Sequence, residues 1–370
     1  MPRRRCWSGC CASSELTVAG ALATSHLLAG SRLAGVDLAR GLAVLGMLSA
    51  HLLAIEAFDP GAPSTWIDIV NGRSSILFAT LAGVSLALVS GAASPVTGAR
   101  LRLVRGRTAV RALVLWTIGI ALILTGVPVY VILPAYAVLF LLALPFLPLR
   151  APALWILAAG LALTMPLIQP ALDEVVAAAG SDVELMFGWH YPFTLWLAFV
   201  LAGLAAGRSD LRRLRTQVTL VLTGVLAAVV GYGSVALWPA TDASGWMAVI
   251  WTDRAHSGGL PEVIGSGGVA LAVLGASLLV CRTPLTWLLL PIRAVGSMPL
   301  TAYVGQLVVW AVIAAVVLGD TGDLGGFRAL DLLGPFVVTT LLGCTAWALL
   351  LGRGPLERGV AWIARVLVRG

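Results

Sequence analysis

Apolar runs of around 20 residues alternate with short polar loops along the whole chain, a pattern that predicts membrane-spanning helices rather than a soluble core. Ten such runs stand out, at 36–57, 74–93, 109–127, 130–148, 152–172, 192–207, 217–238, 262–281, 299–319 and 332–352. Pro128, Pro134 and Pro145 bracket a short turn and a kinked span, and Pro192 opens the sixth run, where a missing N–H costs nothing. Residues 283–298, with Pro284, Trp287, Pro291 and Arg293, are too interrupted to cross a bilayer and read as interfacial. The predicted fold is therefore all-α: a polytopic integral membrane helical bundle of about ten transmembrane helices. An even count places both termini on the same side.

Charge decides which side. The chain has 370 residues, 59% hydrophobic and 11% charged, with a net charge of +7, and every basic residue is arginine. The arginines cluster at 100–111, 208–215 and 353–369, in loops that alternate with loops rich in aspartate and glutamate. That alternation argues for orientation, with the basic loops and both termini cytoplasmic, and against nucleic acid as the partner. Residues 1–33 read as a disordered tail, 34–353 as one transmembrane domain, and 354–370 as an interfacial amphipathic helix with Trp362, Ile363, Val366 and Leu367 between arginines. Trp189, Trp246 and Trp251, in the two longest outer loops, read as aromatic-belt anchors or as a substrate platform. Cys6, Cys10 and Cys11 lack partner histidines at zinc spacing, so no metal is expected, and no cysteine pair is placed for a disulfide across outer loops.

One run carries candidate chemistry. Asp37, Arg40 and His51 lie within Gly35–Phe58, and ionisable groups at membrane depth are costly enough to serve function by default. At 100° per residue, the eleven-residue step from Arg40 to His51 returns within about 20° of the same helix face, roughly 16 Å further along. A neutral imidazole there is equipped to act as general base, and an arginine oriented by Asp37 to hold a phosphate or an acyl carbonyl. The competing reading is an ion pair at the helix start and a histidine hydrogen-bonded between helices.

Resemblance adds to this. The segment from Arg32 through Gly35, Asp37 and Arg40 to Gly41, with His51 after ten intervening residues, resembles the first span of bacterial membrane acyltransferases, in which an arginine and a histidine so spaced carry acyl transfer. Asn71-Gly72-Arg73-Ser74-Ser75, running on to Phe78, Leu81, Ala82 and Gly83, is similar to the second span of proteins related to heparan-α-glucosaminide N-acetyltransferase. With His190-Tyr191-Pro192, Trp196, Gly203, Gly207, Arg208, His256-Ser257-Gly258 and the run from Gly296 to Tyr303 and Gln306, the chain resembles the YeiB-like bacterial membrane proteins over roughly residues 32–365. It departs from the heparan enzyme in having no histidine between 52 and 72, and from the YeiB-like pattern at Ser297 and Pro299.

The resemblance implies a multi-pass inner (plasma) membrane enzyme. It would take an acyl group, acetyl in the first instance, from cytosolic acyl-CoA as co-substrate to a hydroxyl or amine of an envelope glycan or glycolipid. His51, Arg40 and Asp37 are then the catalytic candidates, and Arg73, His190, His256, Tyr303 and Gln306 the substrate-binding ones. Each of the latter has a plainer reading: an interfacial anchor for Arg73, solvated loop histidines for His190 and His256, interhelical hydrogen bonds for Tyr303 and Gln306. The partners implied are the lipid bilayer and the acceptor, with a homo-oligomer left open. A transporter or flippase for a small anionic or lipid-linked substrate is the rival function, and a non-catalytic scaffold the third.

Overall fold

The computed structural model describes residues 32–59, 61–239 and 245–369, and the proposed N-terminal tail up to Ser31 lies outside them. Among the described residues all regular structure is helical. The order is α1 (Ala34–Leu52), a 3₁₀ segment Pro63–Val70, α2 (Arg73–Val89), α3 (Gly98–Ile123), α4 (Leu133–Ala143) with a 3₁₀ extension to Phe146, α5 (Ala151–Ala179), α6 (Ser181–Phe187) and α7 (Phe193–Arg208). Then come α8 (Leu214–Leu237), α9 (Trp246–Ile250), α10 (Leu260–Val280), α11 (Leu285–Leu288), α12 (Leu290–Ser297), α13 (Pro299–Ile313) running into a π turn at Ala314–Leu318, α14 (Leu324–Ala329), α15 (Leu333–Leu350) and α16 (Pro355–Leu367).

Each of the ten apolar runs contains a helix, and among the described residues seven stretches are long and apolar enough to cross a membrane: Pro63–Val89, Gly98–Ile123, Ala151–Ala179, Leu214–Leu237, Leu260–Val280, Pro299–Leu318 and Leu333–Leu350. Leu133–Phe146 and Phe193–Arg208 are apolar but shorter. The nineteen-residue α1 is not one of the seven, because Asp37, Arg40 and His51 dilute its apolar character. The chain is a multi-pass membrane protein.

Helices α1, α2, α7 and α10 form the centre, and their contacts are made by glycine. Two thirds (67%) of Pro63–Val89 and half (50%) of Leu260–Val280 is buried, against 17% of Ala151–Ala179 and Leu214–Leu237, so the latter face outward. In a membrane, helices associate through close packing rather than through exclusion of water, which favours small residues at the contact. A Cβ on Gly83 would strike the Val200 carbonyl of α7, one on Gly35 the backbone of α10 at Leu278, and one on Gly296 the Asp37 carbonyl of α1. The segment read as interfacial, 283–298, divides here: Leu285, Trp287 and Leu288 are exposed, whereas in α12 Arg293, Ala294, Val295 and Gly296 are buried and the helix lies backbone against backbone on the start of α1.

The two ends of the bundle differ in character. At one end, buried Arg208 donates to the carbonyls of Ala87, Ser90 and Ala92, satisfying the open C-terminus of α2, and to that of Leu147. Arg105 donates there to the Leu144 carbonyl, Arg107 to that of Val368 and Arg282 to that of Arg212. The Glu357 carboxylate of α16 accepts from the backbone N–H groups of Leu300 and Thr301, closing the N-terminus of α13. The opposite end carries Asp68, Asp173, Glu184 and Asp323, and there the described histidines, His51, His190 and His256, gather.

Candidate active site

α1 ends on His51. Beside it, the loops before α2, α4, α7 and α10 and the short α14 enclose a cavity of about 270 Å³, whose lining includes His51, His190 and His256. The Tyr130 and His190 rings are stacked, 3.7 Å between centroids and 5° from parallel, and the His190 and His256 rings are 4.9 Å apart. The Tyr191 hydroxyl donates to the Tyr130 carbonyl at 3.1 Å, tying the two loops together. Burial of His190 lowers its pKa from 6.5 to about 4. His256 is lowered to about 3, by burial first and then by the neighbouring His190 and His51. Both loop imidazoles are therefore neutral near pH 7, and the buried Nδ1 of His256 has no hydrogen-bond partner.

His256 is held in the left-handed backbone region, φ +63°, which a non-glycine residue adopts at a cost of about 1–2 kcal/mol. Glu262, on the first turn of α10 and buried, supplies the restraint. Its carboxylate accepts from the backbone N–H of His256 at 2.6 Å, the Ser257 hydroxyl at 3.0 Å and the backbone N–H of Gly258 at 2.7 Å. Hydrogen bonds to a charged acceptor contribute about 1.5–3 kcal/mol each, so three of them outweigh the backbone strain.

At the other end of α1, Asp37 lies between two guanidinium groups. Arg32 donates to both of its oxygens at 3.0 and 2.8 Å, and Arg40 to Oδ1 at 3.1 Å. Arg40 also donates to the Ser85 hydroxyl of α2 at 2.8 Å. It lines a second cavity, of about 160 Å³, together with Ser85, Phe78, Tyr136, Phe140 and Tyr303. Arg40 and His51 thus share a helix but line separate cavities. Tyr136 and Tyr303 close the far end of the arginine cavity: the Tyr303 hydroxyl accepts from the Ile132 backbone N–H at 3.3 Å, and the Tyr136 hydroxyl reaches the carbonyl of Ser75 at 3.5 Å. Ser75 lines the histidine cavity, so Tyr136 links the walls of the two cavities.

The structure brings His51, His190 and His256 together and places Tyr303 in the Arg40 cavity, but two of the sequence candidates go elsewhere. Arg73 donates to the Asp68 carbonyl and the Tyr232 hydroxyl, both at 2.8 Å, with its guanidinium 4.7 Å from the Tyr232 ring centroid, and is absent from the cavity lining. Gln306 lines a groove of about 330 Å³ between α13 and α15, 3.5 Å from the Thr340 hydroxyl. The reason is local: Asp68 sits within reach of Arg73, and Gln306 lies on the side of α13 facing α15. Trp189, read as a belt anchor or platform, is buried and donates to Asp173 at 2.8 Å.

Sequence reasoning passed over Glu262 and Arg328. Both carried a signal: Glu262 opens an apolar run, as Asp37 does, and Arg328 lies among acidic residues at the end of the bundle that is otherwise poor in arginine.

Residues 206–369 match the model of a protein of unknown function (DUF418). No curated protein matches the chain significantly. Residues 32–238, 207 of the 370 and therefore more than half, match the model described as heparan-alpha-glucosaminide N-acetyltransferase, catalytic; the chain belongs to that family of membrane acetyltransferases, joined to the YeiB-like C-terminal part.

Proposed function

We propose that the protein moves an acetyl group from cytosolic acetyl-CoA to a hydroxyl or amine of an envelope glycan or glycolipid on the far side of the inner membrane. The observation that carries the reading is the convergence of His51, His190 and His256 on one cavity, in a chain that belongs to an acetyltransferase family. Ten crossings with the arginine-rich end in the cytoplasm accord with the positive-inside rule. The Arg40 cavity then opens toward the donor and the histidine cavity toward the acceptor.

In this scheme Arg40, fixed by Asp37, holds the donor through its phosphate or thioester end. His51 takes the proton of the acceptor O–H or N–H as the oxygen or nitrogen attacks the thioester carbonyl. The C–S bond breaks, and the sulfur leaves with a proton as the CoA thiol. A transient acetyl-imidazole on His51 is the two-step version of the same exchange. Either route needs a passage to open between the Arg40 and histidine cavities, which are separate here. His190 and His256, neutral and adjacent, bind the acceptor and pass on its proton.

The test is incubation of the purified protein in liposomes with radiolabelled acetyl-CoA and an envelope glycan and glycolipid extract. Label is expected in the extract with wild-type protein and absent from it with His51→Ala expressed at the same level. Undiminished transfer by that variant would remove His51 from the mechanism.

A further inference from the structure

The histidine cavity is lined by one full cation, Arg328 of α14, and by no aspartate or glutamate. Among the described residues no carboxylate lies within 4.0 Å of its guanidinium, whereas Arg32, Arg40, Arg73 and Arg213 each have one. The buried Nε of Arg328 has no hydrogen-bond partner, and the only bond shown for the rest of the group is Nη2 to the His51 carbonyl at 3.4 Å. A distance of 3.4 Å is at the outer limit for such a bond, and it uses one of five donors. Capping the C-terminus of α1 thus explains little of this side chain. The position is nevertheless firmly built: the adjacent Phe327 is stacked on Trp310, 4.3 Å between centroids, and the Asp323 carboxylate caps Gly326 at 2.8 Å.

Arg328 is half-buried with its Nε inaccessible, and the groups it meets across the cavity are imidazoles, tyrosines and serines that offset none of its charge. We infer that Arg328 is an anion-binding residue of the acceptor site, and that the acceptor carries a carboxylate or phosphate which the guanidinium fork engages while the group to be acetylated lies against His51. This deepens the acetyl-transfer reading and rests on it for the word acceptor; the anion site itself stands on the geometry alone. It also assigns a role to the C-terminal part of the chain. Arg328 lies outside the segment matched by the acetyltransferase model, so selection among acceptors would be supplied by the portion whose function is unknown.

The test uses the full-length protein in detergent and reads binding, not turnover. Inorganic phosphate and glucuronate are titrated, with glucose as the neutral control, and intrinsic tryptophan fluorescence and melting temperature are followed. Wild type is expected to bind one or both anions saturably and glucose not at all. Arg328→Gln is expected to weaken anion binding about 30-fold, the size of a lost charge-assisted pair. Saturating CoA, which occupies the donor end, is expected not to displace the anion.

Anion binding that survives Arg328→Gln, that saturating CoA displaces, or that wild type lacks altogether would overturn the proposal. Arg328→Lys guards against misfolding of the glutamine variant: it keeps the charge but not the fork and should bind about tenfold more weakly. Equal affinity in that variant would also count against the fork. Because no step depends on acetyl transfer, an inactive preparation that still binds phosphate through Arg328 would separate failure of the transferase reading from failure of this one.

Discussion

Replacing Glu262 with alanine is the perturbation that most directly asks whether the histidine cavity is an organised site. The carboxylate accepts three hydrogen bonds from the loop carrying His256, two of them from backbone N–H groups at 2.6 and 2.7 Å. At about 1.5–3 kcal/mol apiece they contribute roughly 4–9 kcal/mol in gross terms. Against this stand about 1–2 kcal/mol for the left-handed backbone of His256 and the desolvation of a carboxylate that is 3% exposed. Without Glu262 the restraint disappears and the strain remains, so residues 255–259 relax and the His256 ring leaves its place 4.9 Å from His190. Displacement of a positioned group by about 1 Å costs on the order of 100-fold in rate.

Glu262→Ala should therefore lower kcat for acetyl transfer about 100-fold while the KM for acetyl-CoA, bound at the far end of α1, stays the same. Glu262→Gln, with one acceptor oxygen left, should fall between, and Ser257→Ala, which removes only the 3.0 Å bond, should lose least. The assay is initial-rate transfer of radiolabelled acetyl groups, paired with CoA binding to verify the fold. Wild-type kcat in a folded Glu262→Ala protein would refute the reasoning, as would a parallel loss of CoA binding, which would make Glu262 a residue of general stability.

Other outcomes follow from the same geometry. His51→Ala should abolish transfer and leave CoA affinity within about twofold, since the two ends of α1 line separate cavities; loss of CoA binding would show that they act as one. Gly296→Ala places a methyl group against the Asp37 carbonyl, and overpacking of this kind costs about 1–3 kcal/mol, seen as a lower melting temperature and reduced yield; an unchanged melting temperature would mean that α12 shifts freely on α1. His190 and His256 titrate near 4 and 3 in the folded protein instead of 6.5, so between those values the unfolded chain binds more protons. Stability should be full above pH 6.5 and fall on acidification toward pH 4; a melting temperature that rises through that window would contradict the buried, neutral placement of both rings.

The all-helical architecture was legible because lipid leaves so few alternatives: apolar runs separated by polar loops must form helices. The polar residues of α1 were legible for the same reason, since a charge in an apolar run stands out wherever the helix packs. The convergence of His190 and His256 was not, because it depends on loops that precede α7 and α10 meeting across Tyr130, and no local spacing encodes that. Sharing a helix face was also a weaker guide than it looked. Tyr303, Gln306 and Trp310 follow one another at helical spacing, yet α13 crosses several neighbours. Tyr303 meets the start of α4, Gln306 faces α15, and Trp310 stacks on Phe327 of α14. Within residues 283–298 the glycine-mediated contact with α1 was not legible either: it buries Arg293–Gly296, while Leu285, Trp287 and Leu288 stay exposed.

The two family matches divide the chain in sequence but not in space. His51 and His190 belong to the first match, while Glu262 and Arg328 belong to the second, as does His256. These residues surround one cavity or hold its loops. The helix that carries the candidate catalytic residues, α1, is packed on α10 at Gly35 and on α12 at Gly296, both in the second match, as closely as on α2. Neither part has a complete site of its own: the first would lack His256, its carboxylate restraint and the cavity's cation, and the second would lack His51 and Arg40. The C-terminal part therefore completes the bundle around this cavity and is not an appended module. Relatives that keep the first part and change the second would be expected to keep the donor and the chemistry while changing the acceptor, because Arg40 lies on one side of the division and Arg328 on the other.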